Sequence, residues 1–354
     1  MVRVGVLGAT GAVGQRFLQL LENHPWFVVE VLGASEGSAG KTYKDAAFWR
    51  LEASMPESFK DKVVVRCDAL LFKEKVDLVF SALDSSVAGE IETAFASLGI
   101  PVFSNSSNHR MDPFVPILVP YVNPTHLEAV KMQEFPSGGF IVTGANCSST
   151  GLAVVLNPLH RKWGIKSCHV VTMQAISGAG YPGVSSLDIV DNVIPLIKGE
   201  EPKMETEPNK ILGNFDSNSG SFLSAGIKIS AHCNRVAVID GHTECVSLSL
   251  NSSEPVSVED IKKCFLEFQA EISALDLPSA AKCPIVLMDE DDRPQPRLDR
   301  NSGSGFSVCI GRIRPCPLFG FKFVILSHNT VLGAAGGSIL GAELAISKSF
   351  IKSS

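Results

Sequence analysis

The chain has 354 residues, of which 45% are hydrophobic and 19% are charged, so it is a globular protein that is too long for one core, and two domains are expected. Its 31 basic and 37 acidic residues give a net charge of −6, so neither nucleic acid nor an anionic membrane is an expected partner. No apolar stretch reaches the ~20 residues of a membrane-spanning helix, and nine cysteines without CxxC pairs indicate reduced thiols, so a cytoplasmic protein is expected.

The first third of the chain alternates short apolar runs with helical patterns. The β-branched run at Val2–Leu7 is followed by a glycine-rich turn and an amphipathic stretch, which predicts a strand, a turn and a helix. Further strands are predicted at residues 27–32, 76–82 and 100–103, with a helix at residues 88–98. This alternation is typical of an α/β domain with a Rossmann-like, doubly wound parallel sheet and helices on both faces.

A proline-rich connection leads out of this first domain. Four prolines crowd residues 113–124, so regular helix and central strand are both disfavoured there. A strand is predicted at residues 140–144 and a helix at residues 149–160, with Asn146 and Cys147 between them.

The remaining chain has a different pattern. Strands are predicted at residues 168–175, 235–239 and 245–250, which favours a second, α+β domain with much antiparallel pairing. The polar residues 200–218 are expected to form a surface excursion. Residues 329–346 are rich in glycine and small apolar residues and predict a helix packed closely against another element.

The glycine-rich turn is the first candidate site. Gly8, Gly11 and Gly14 lie where the first strand passes into the first helix, so backbone N–H groups and the helix dipole could approach a pyrophosphate. The spacing departs from the common G-x-G-x-x-G pattern, and a purely structural turn is the alternative. The position after a β-branched run and before a helix favours a dinucleotide site.

The loop after the second strand should distinguish NADP from NAD. Ser35, Ser38 and Lys41 could hold the additional phosphate of NADP, whereas Glu36 could bind the ribose hydroxyls of NAD. NADP is favoured, although a plain glycine–serine loop is also compatible with these residues.

Cys147 is the candidate nucleophile. It lies just ahead of a predicted helix, whose positive N-terminus would lower the thiol pKa. Catalysis is favoured over a packing role, and no metal is expected because no His or Cys cluster has ligand spacing around it. His242 lies at a predicted turn and could act as general acid and base to Cys147, or be an ordinary surface histidine.

Several charged residues are candidates for substrate binding. Arg235 could bind a substrate carboxylate or lie at a solvated strand end, and Arg110 could clamp an anion or simply be solvated. Glu207 and Lys210, three residues apart, could share one helical face toward a ligand or form a surface ion pair.

Taken together, the motifs resemble the aspartate-semialdehyde dehydrogenase family, in particular its fungal and archaeal branch, over essentially the whole chain. The segments that carry the resemblance are residues 8–14 (GATGAVG), 104–111 (SNSSNHRM), 144–149 (GANCSS), 174–183 (QAISGAGYPG), 207–212 (EPNKIL), 235–242 with their arginine and Gly-His pair, and 328–337 (HNTVLGAAGG).

The resemblance implies an activity. Family members reduce L-4-aspartyl phosphate to L-aspartate 4-semialdehyde with NADPH and release of phosphate, on the route to lysine, threonine, methionine and isoleucine. Cys147 would be the nucleophile that forms a thioester, His242 the acid and base, and Gln174 would orient the reacting group.

The resemblance also implies binding roles. Arg235 would bind the α-carboxylate, Glu207 the α-ammonium, and Lys210 with Arg110 the phosphate, and Asn146 is also expected at the substrate site. The expected NADP-binding residues are Gly8, Thr10, Gly11, Ala12, Val13, Ser35, Ser38, Ser81, Gly178 and Asn329.

The same resemblance implies the domain organisation. Residues 1–145 would bind NADP, completed by a carboxy-terminal helix at about residues 329–354, and residues 146–328 would form a catalytic and oligomerisation domain. A homodimer or homotetramer is expected.

Two alternatives differ in function. Archaeal malonyl-CoA reductase shares the architecture, the SGAGYPG segment and the Gly-His pair, but its nucleophile segment differs from the one around Cys147. A catalytically silent dinucleotide-binding protein is also conceivable, although it would not need Cys147, Gln174, Arg235 and His242.

Overall fold

The computed structural model describes residues 1–351 and confirms the predicted α/β class, with two six-stranded sheets. The amino-terminal sheet is parallel throughout, in the order β3-β2-β1-β4-β5-β6. Its strands are β1 (Val2–Leu7), β2 (Phe27–Ala34), β3 (Val65–Arg66), β4 (Leu78–Ser81), β5 (Val102–Ser104) and β6 (Ile141–Thr143).

The strand order reverses between β1 and β4, which are neighbours in the sheet. In doubly wound sheets, ligands bind at such a reversal, beside the carboxyl ends of the strands. The helices of this part of the chain are α1 (Ala12–Leu21), α2 (Tyr43–Ala46), α3 (Glu57–Lys60), α4 (Ala69–Phe72) and α5 (Ser85–Ser97).

The second sheet is mixed, and its order is β10-β7-β11-β14-β13-β12. Its strands are β7 (Ile165–Gln174), β10 (Lys228–Arg235), β11 (His242–Leu250), β12 (Ile285–Leu287), β13 (Val308–Cys316) and β14 (Gly320–Ser327). A separate hairpin consists of β8 (Asn214–Asp216) and β9 (Ser221–Leu223).

The remaining helices connect and cover the two sheets. They are α6 (Cys147–Trp163), α7 (Ser186–Ile189), α8 (Glu200–Ile211), α9 (Val258–Leu266), α10 (Pro296–Asp299) and α11 (Gly336–Ser347). The long helix α6 follows β6 and lies against β7, β11 and β14, whereas α11 returns to contact β5 and α1 of the first sheet. Within residues 1–351, no helix has both the length and the apolarity that crossing a bilayer requires.

Two predicted elements differ from the structure. The strand expected at residues 235–239 is wrong: β10 ends at Arg235, and the apolar residues after it bond through Val238 and Ile239 to the backbone of residues 176–177. The strands β10 and β11 are also not neighbours, because β7 lies between them.

The expected surface excursion at residues 200–218 is also wrong over its first part. Helix α8 occupies it and packs on β10. Its sequence is polar overall, but Met204 and Ile211 are buried on the face toward the sheet. A few apolar residues at helical spacing therefore decide the fold of this segment.

Candidate active site

A cleft of about 730 Å³ lies where the carboxyl ends of the first sheet's strands meet one edge of the second sheet. Its first side is formed by residues that follow β1, β4, β5 and β6. Its second side includes Gln174 and Arg235, the last residues of β7 and β10. Both predicted domains therefore contribute residues to the cleft.

Cys147 lines this cleft and is in contact with His242, which is buried next to it. Cys147 is the first residue of α6, and Asn146 caps the helix by accepting hydrogen bonds from the N–H groups of Ser148 and Ser149 at 3.0 and 3.3 Å. The Cys147 Sγ lies 3.1 Å from Nε2 of His242, which begins β11 instead of lying in a turn. The two predicted catalytic residues are therefore in direct contact.

His242 is held as a neutral imidazole. The Ala175 N–H donates to its Nδ1 at 3.0 Å, so the ring proton must lie on Nε2, which points at the sulfur. Burial, with the charges of Arg235 and His328 adding to it, lowers the pKa of His242 to about 3. This histidine can thus donate a hydrogen bond from Nε2 at neutral pH.

The predicted lowering of the Cys147 pKa is wrong. Burial, together with the Glu200 carboxylate, raises the thiol pKa to about 12. Arg235, Arg110 and the N–H of Ser148 act in the opposite direction, but they do not outweigh the loss of solvation.

The neighbouring strand ends complete the cluster. Gln174 and Arg235 are paired in register across β7 and β10, and both are buried. Arg235 donates to the carbonyl of Ala175 at 2.7 Å. A Cβ on Gly178 would come within 2.8 Å of Arg235 Nη1 and 3.2 Å of His242 Nε2. A side chain at position 178 would therefore require Arg235 to shift and would crowd His242.

Arg110 reaches the cleft from the loop after β5, and Glu207 and Lys210 hold it in place. It donates to Glu207 at 2.9 Å, and the same carboxylate accepts from the N–H of Asn146 at 2.7 Å. Lys210 donates to the carbonyls of Arg110 and Val115 at 2.7 and 2.8 Å, and burial lowers its pKa to about 8. Arg110 and Asn146 line the cleft, whereas Glu207 and Lys210 lie behind them. The direct substrate contacts expected of those two residues stay predictions.

The glycine turn fits a dinucleotide pyrophosphate. A Cβ on Gly14 would lie 2.2 Å from the Gly8 carbonyl oxygen, and Gly8 itself has φ 72°, so both glycines are needed for the close packing of α1 on β1. Ala12 and Val13 line the cleft, with Thr10 and Gly11 in the turn before them. The first turn of α1 has no side-chain cap and no acidic residue, so its N–H groups suit an anion.

Three predicted cofactor contacts are not among the residues that line this cleft, and they stay predictions. The Ser81 hydroxyl is fully buried and donates to Glu92 at 2.6 Å, so it is turned away from the cleft. Ser35 and Ser38 lie in the loop after β2, outside the residues that line the cleft. Arg66 lies beside this loop, with a guanidinium nitrogen 3.6 Å from a Glu36 carboxylate oxygen. The sequence did not indicate Arg66, because β3, the strand that carries it, is only two residues long and has no recognisable pattern.

Asn329 links two turns at the site. Its Oδ1 accepts from the N–H of Gly241 and its Nδ2 donates to the Ser177 hydroxyl, both at 2.8 Å. Gly333 was not predicted, yet a Cβ there would lie 3.1 Å from the Cys147 Cα. Within residues 1–351, no group of three or more His, Cys, Asp or Glu side chains could hold a metal ion.

Glu200 is a further residue that sequence reasoning missed. It lines the cleft from the first position of α8. Its position within a polar run, beside Glu201, gave no signal that this one carboxylate is buried.

Comparison with known proteins identifies the family. A family model described as the NAD binding domain of semialdehyde dehydrogenase matches residues 3–130. A second, described as the dimerisation domain of semialdehyde dehydrogenase, matches residues 156–332.

Similar proteins occur in fungi and archaea. The chain is 49% identical to aspartate-semialdehyde dehydrogenase of Cryptococcus neoformans over 99% of this chain and 98% of that protein. It is 48% identical to the Archaeoglobus fulgidus protein of the same name over 98% and 99%. A crystal structure of the Candida albicans aspartate semialdehyde dehydrogenase with NADP superposes with a TM-score of 0.92 at 48% identity, covering 99% of this chain and 100% of that one. The chain therefore belongs to the aspartate-semialdehyde dehydrogenase family.

Proposed function

We propose that the protein catalyses the NADPH-dependent reductive dephosphorylation of L-4-aspartyl phosphate to L-aspartate 4-semialdehyde, in the aspartate pathway of amino-acid biosynthesis. The observation that carries the proposal is the 3.1 Å contact between Cys147 Sγ and His242 Nε2 in the cleft that the α1 N-terminus also borders. The family membership supports it, and favours neither malonyl-CoA reduction nor a silent binding protein.

Cys147 and His242 carry the covalent chemistry. The Cys147 sulfur attacks the acyl carbon, the bond to the phosphate oxygen breaks, and the thiol proton ends on the departing phosphate, which leaves a thioester on Cys147. NADPH, when bound, supplies the hydride for the reduction. The His242 Nε2–H, fixed by the Ala175 N–H, donates a hydrogen bond to the oxyanion of the resulting thiohemiacetal. The carbonyl re-forms as the carbon–sulfur bond breaks, which releases the aldehyde and the Cys147 thiolate, and this thiolate takes up a proton from water to regenerate the thiol.

The remaining roles follow from charge and position. Arg235 is assigned to the α-carboxylate, Arg110 to the phosphate and Gln174 to the orientation of the acyl group, since all three side chains line the cleft. Glu207 and Lys210 are assigned to the substrate as well, and their present contacts support a role in holding Arg110.

NADP is assigned to the first sheet. Its pyrophosphate is placed at the turn of Gly8, Thr10 and Gly11 and at the first residues of α1, where unpaired N–H groups meet the cleft. Ser35 and Ser38 are assigned to the adenosine phosphate, and Gly178 and Asn329 to the nicotinamide side. The similarity to the NADP-bound Candida albicans relative supports NADP as the cofactor.

The domain boundaries and the assembly are also part of the proposal. Residues 1–145 with 329–354, of which 352–354 lie outside the described residues, would bind NADP, and residues 146–328 would carry catalysis and oligomerisation in a cytoplasmic homodimer or homotetramer. The contacts of α11 with β5 and α1 support the first boundary. The family model for the second part is a dimerisation domain, and the exposed Leu187 and Val190 supply apolar surface there.

A direct assay tests the activity. The purified protein should oxidise L-aspartate 4-semialdehyde with NADP and phosphate, and Cys147→Ser should reduce kcat by at least ~10³-fold because the hydroxyl is a far weaker nucleophile. Wild-type protein that binds NADP without turnover would contradict the proposal. Rapid NADPH oxidation with malonyl-CoA, and none with aspartyl phosphate, would replace it with the reductase alternative.

A further inference from the structure

Glu200 places a buried carboxylate in the wall of the cleft. It is the first residue of α8, directly after Gly199 at φ 76°, and only 8% of it is exposed. Its Oε2 accepts a hydrogen bond from the Asn146 side-chain amide at 2.7 Å and lies 3.4 Å from the Gln174 amide nitrogen. Its Oε1 accepts from the Lys203 ammonium at 3.0 Å.

This arrangement is more than a helix cap. An acidic residue in the first turn of a helix normally stabilises the dipole while staying in water. Burial of a carboxylate is costly unless it is paired and hydrogen-bonded, and here the contacts reach into the cleft. Glu205, later in the same helix, instead accepts from the N–H of Ala231 on β10, outside the cleft.

The two amides that Glu200 holds belong to the reaction centre. Asn146 is the cap of the helix that begins with Cys147. Gln174 is the residue assigned to the reacting acyl group, and the only other hydrogen bond of its side chain among residues 1–351 goes to Thr172 at 3.3 Å. One carboxylate oxygen therefore connects the nucleophile's helix to the side chain that faces the substrate.

We propose that Glu200 is a positioning residue of the reaction, whose carboxylate fixes the Asn146 and Gln174 amides and places its negative charge beside the cap of the helix that begins with Cys147. The inference rests on the proposed function for its effect on turnover. Its effect on the thiol is independent of turnover.

The charge balance around the sulfur supports this second role. The charged or titratable groups that face Cys147 are His242 on β11, Arg235 on β10, Arg110 in the loop after β5, and Glu200 on α8. His242 is neutral, and Arg110 is paired with Glu207 at 2.9 Å. Glu200 raises the thiol pKa, whereas the two arginines lower it. Loss of this single negative charge should therefore increase the thiolate fraction.

Glu200→Gln tests both effects on the full-length protein. The amide has nearly the same shape, but its NH₂ group is a donor and replaces either the oxygen that accepts from Lys203 or the oxygen that accepts from Asn146 and Gln174. Alkylation of Cys147 by iodoacetamide, followed between pH 7 and 10, should become about three- to tenfold faster at pH 8, because one pKa unit changes the thiolate fraction by about tenfold. The kcat should fall at least ~10-fold, with KM changed less than ~3-fold, because orientation acts in the transition state.

Two further variants separate charge from fold. Lys203→Met removes a cation from the same carboxylate, so it should leave alkylation unchanged or make it slower. Glu200→Asp keeps the charge but shortens the reach by one methylene, so alkylation should stay slow while kcat falls. If Glu200→Gln does not fold, Glu200→Asp still tests the positioning role through its effect on kcat.

Opposite changes in thiol reactivity and turnover are not expected from a merely structural residue. The proposal is overturned if Glu200→Gln, with a native melting temperature, shows the wild-type alkylation profile, or if kcat is unchanged. Slower alkylation in that variant would also overturn it. A wild-type protein without dehydrogenase activity would remove the proposed function but leave the alkylation result as a test of the charge effect.

Discussion

At the scale of single residues, burial controls which groups carry charge. Glu244 lies on β11, two residues after His242, and is completely buried. Neither of its carboxylate oxygens has a hydrogen-bond partner among residues 1–351. Burial raises its pKa well above the usual value, so the folded protein holds the Glu244 proton to higher pH than the unfolded chain does.

A prediction about stability and pH follows for Glu244→Gln. The folded protein keeps the Glu244 proton, whereas the unfolded chain releases it above about pH 4.5, so this group destabilises the wild type as pH rises, by up to ~1.4 kcal/mol per pH unit. The glutamine variant lacks this dependence. Its free energy of unfolding relative to wild type should therefore increase from pH 4.5 to pH 8, measured by urea unfolding at several pH values. A difference that stays constant with pH would show that Glu244 is ionised in the fold.

The candidate site was partly predictable at this scale. Cys147 and His242 stand next to distinctive glycines and small polar residues, so the sequence alone indicated their chemistry. Glu200 and Gly333 were missed because their importance comes from contacts with residues more than 25 positions away. The direction of the Cys147 pKa was wrong for the same reason, since the sequence indicates a helix N-terminus but not the surrounding burial.

At the scale of elements, two glycines in the turn between β1 and α1, Gly14 and Gly11, have different roles. Gly14 allows the helix to pack on the turn, because a Cβ would lie 2.2 Å from the Gly8 carbonyl oxygen. Gly11 has an ordinary φ of −77°, and a Cβ there would lie 3.4 Å from the same oxygen. Packing therefore requires glycine at position 14 but not at position 11.

The substitutions Gly14→Ala and Gly11→Ala should therefore have different effects. The first should lower the free energy of unfolding by about 1–3 kcal/mol through overpacking. The second should cost less than ~1 kcal/mol but weaken NADP binding at least ~10-fold, because a methyl group would stand at the helix N-terminus. Urea unfolding and NADP titration by calorimetry measure the two effects. Unchanged NADP affinity in Gly11→Ala would argue against a pyrophosphate at this turn.

The elements themselves were predicted unequally well. The parallel sheet was recognised because its strands are continuous apolar runs separated by helical patterns. The false strand at residues 235–239 has an equally apolar sequence, but its backbone bonds to residues 176–177 instead of a strand. Helix α8 was missed because most of its residues are polar and its support comes from β10. Prediction of secondary structure from the local sequence pattern therefore fails where contacts with a distant segment decide the conformation of the chain.

At the scale of the whole molecule, the active site depends on how the two sheets are held together. Glu343 on α11 joins segments from both parts of the chain. It is fully buried, and one of its carboxylate oxygens lies 2.9 Å from Nε2 of His24, in the connection between α1 and β2. The same oxygen accepts from the Ser279 hydroxyl at 2.6 Å. The carboxylate thus connects α11 to the first sheet's domain and to the domain of the second sheet.

Replacing Glu343 with alanine should destabilise the molecule as a unit. Loss of the carboxylate leaves His24 and Ser279 buried without their acceptor, so the free energy of unfolding should fall by about 2–4 kcal/mol. Ser279→Ala removes one neutral donor and should cost only about 1 kcal/mol. Urea unfolding followed by tryptophan fluorescence reports on both parts, since Trp26 lies beside the first sheet and Trp163 ends α6. If Glu343→Ala costs no more than Ser279→Ala, the carboxylate serves the second sheet's domain alone, and the cleft must be held together by other contacts.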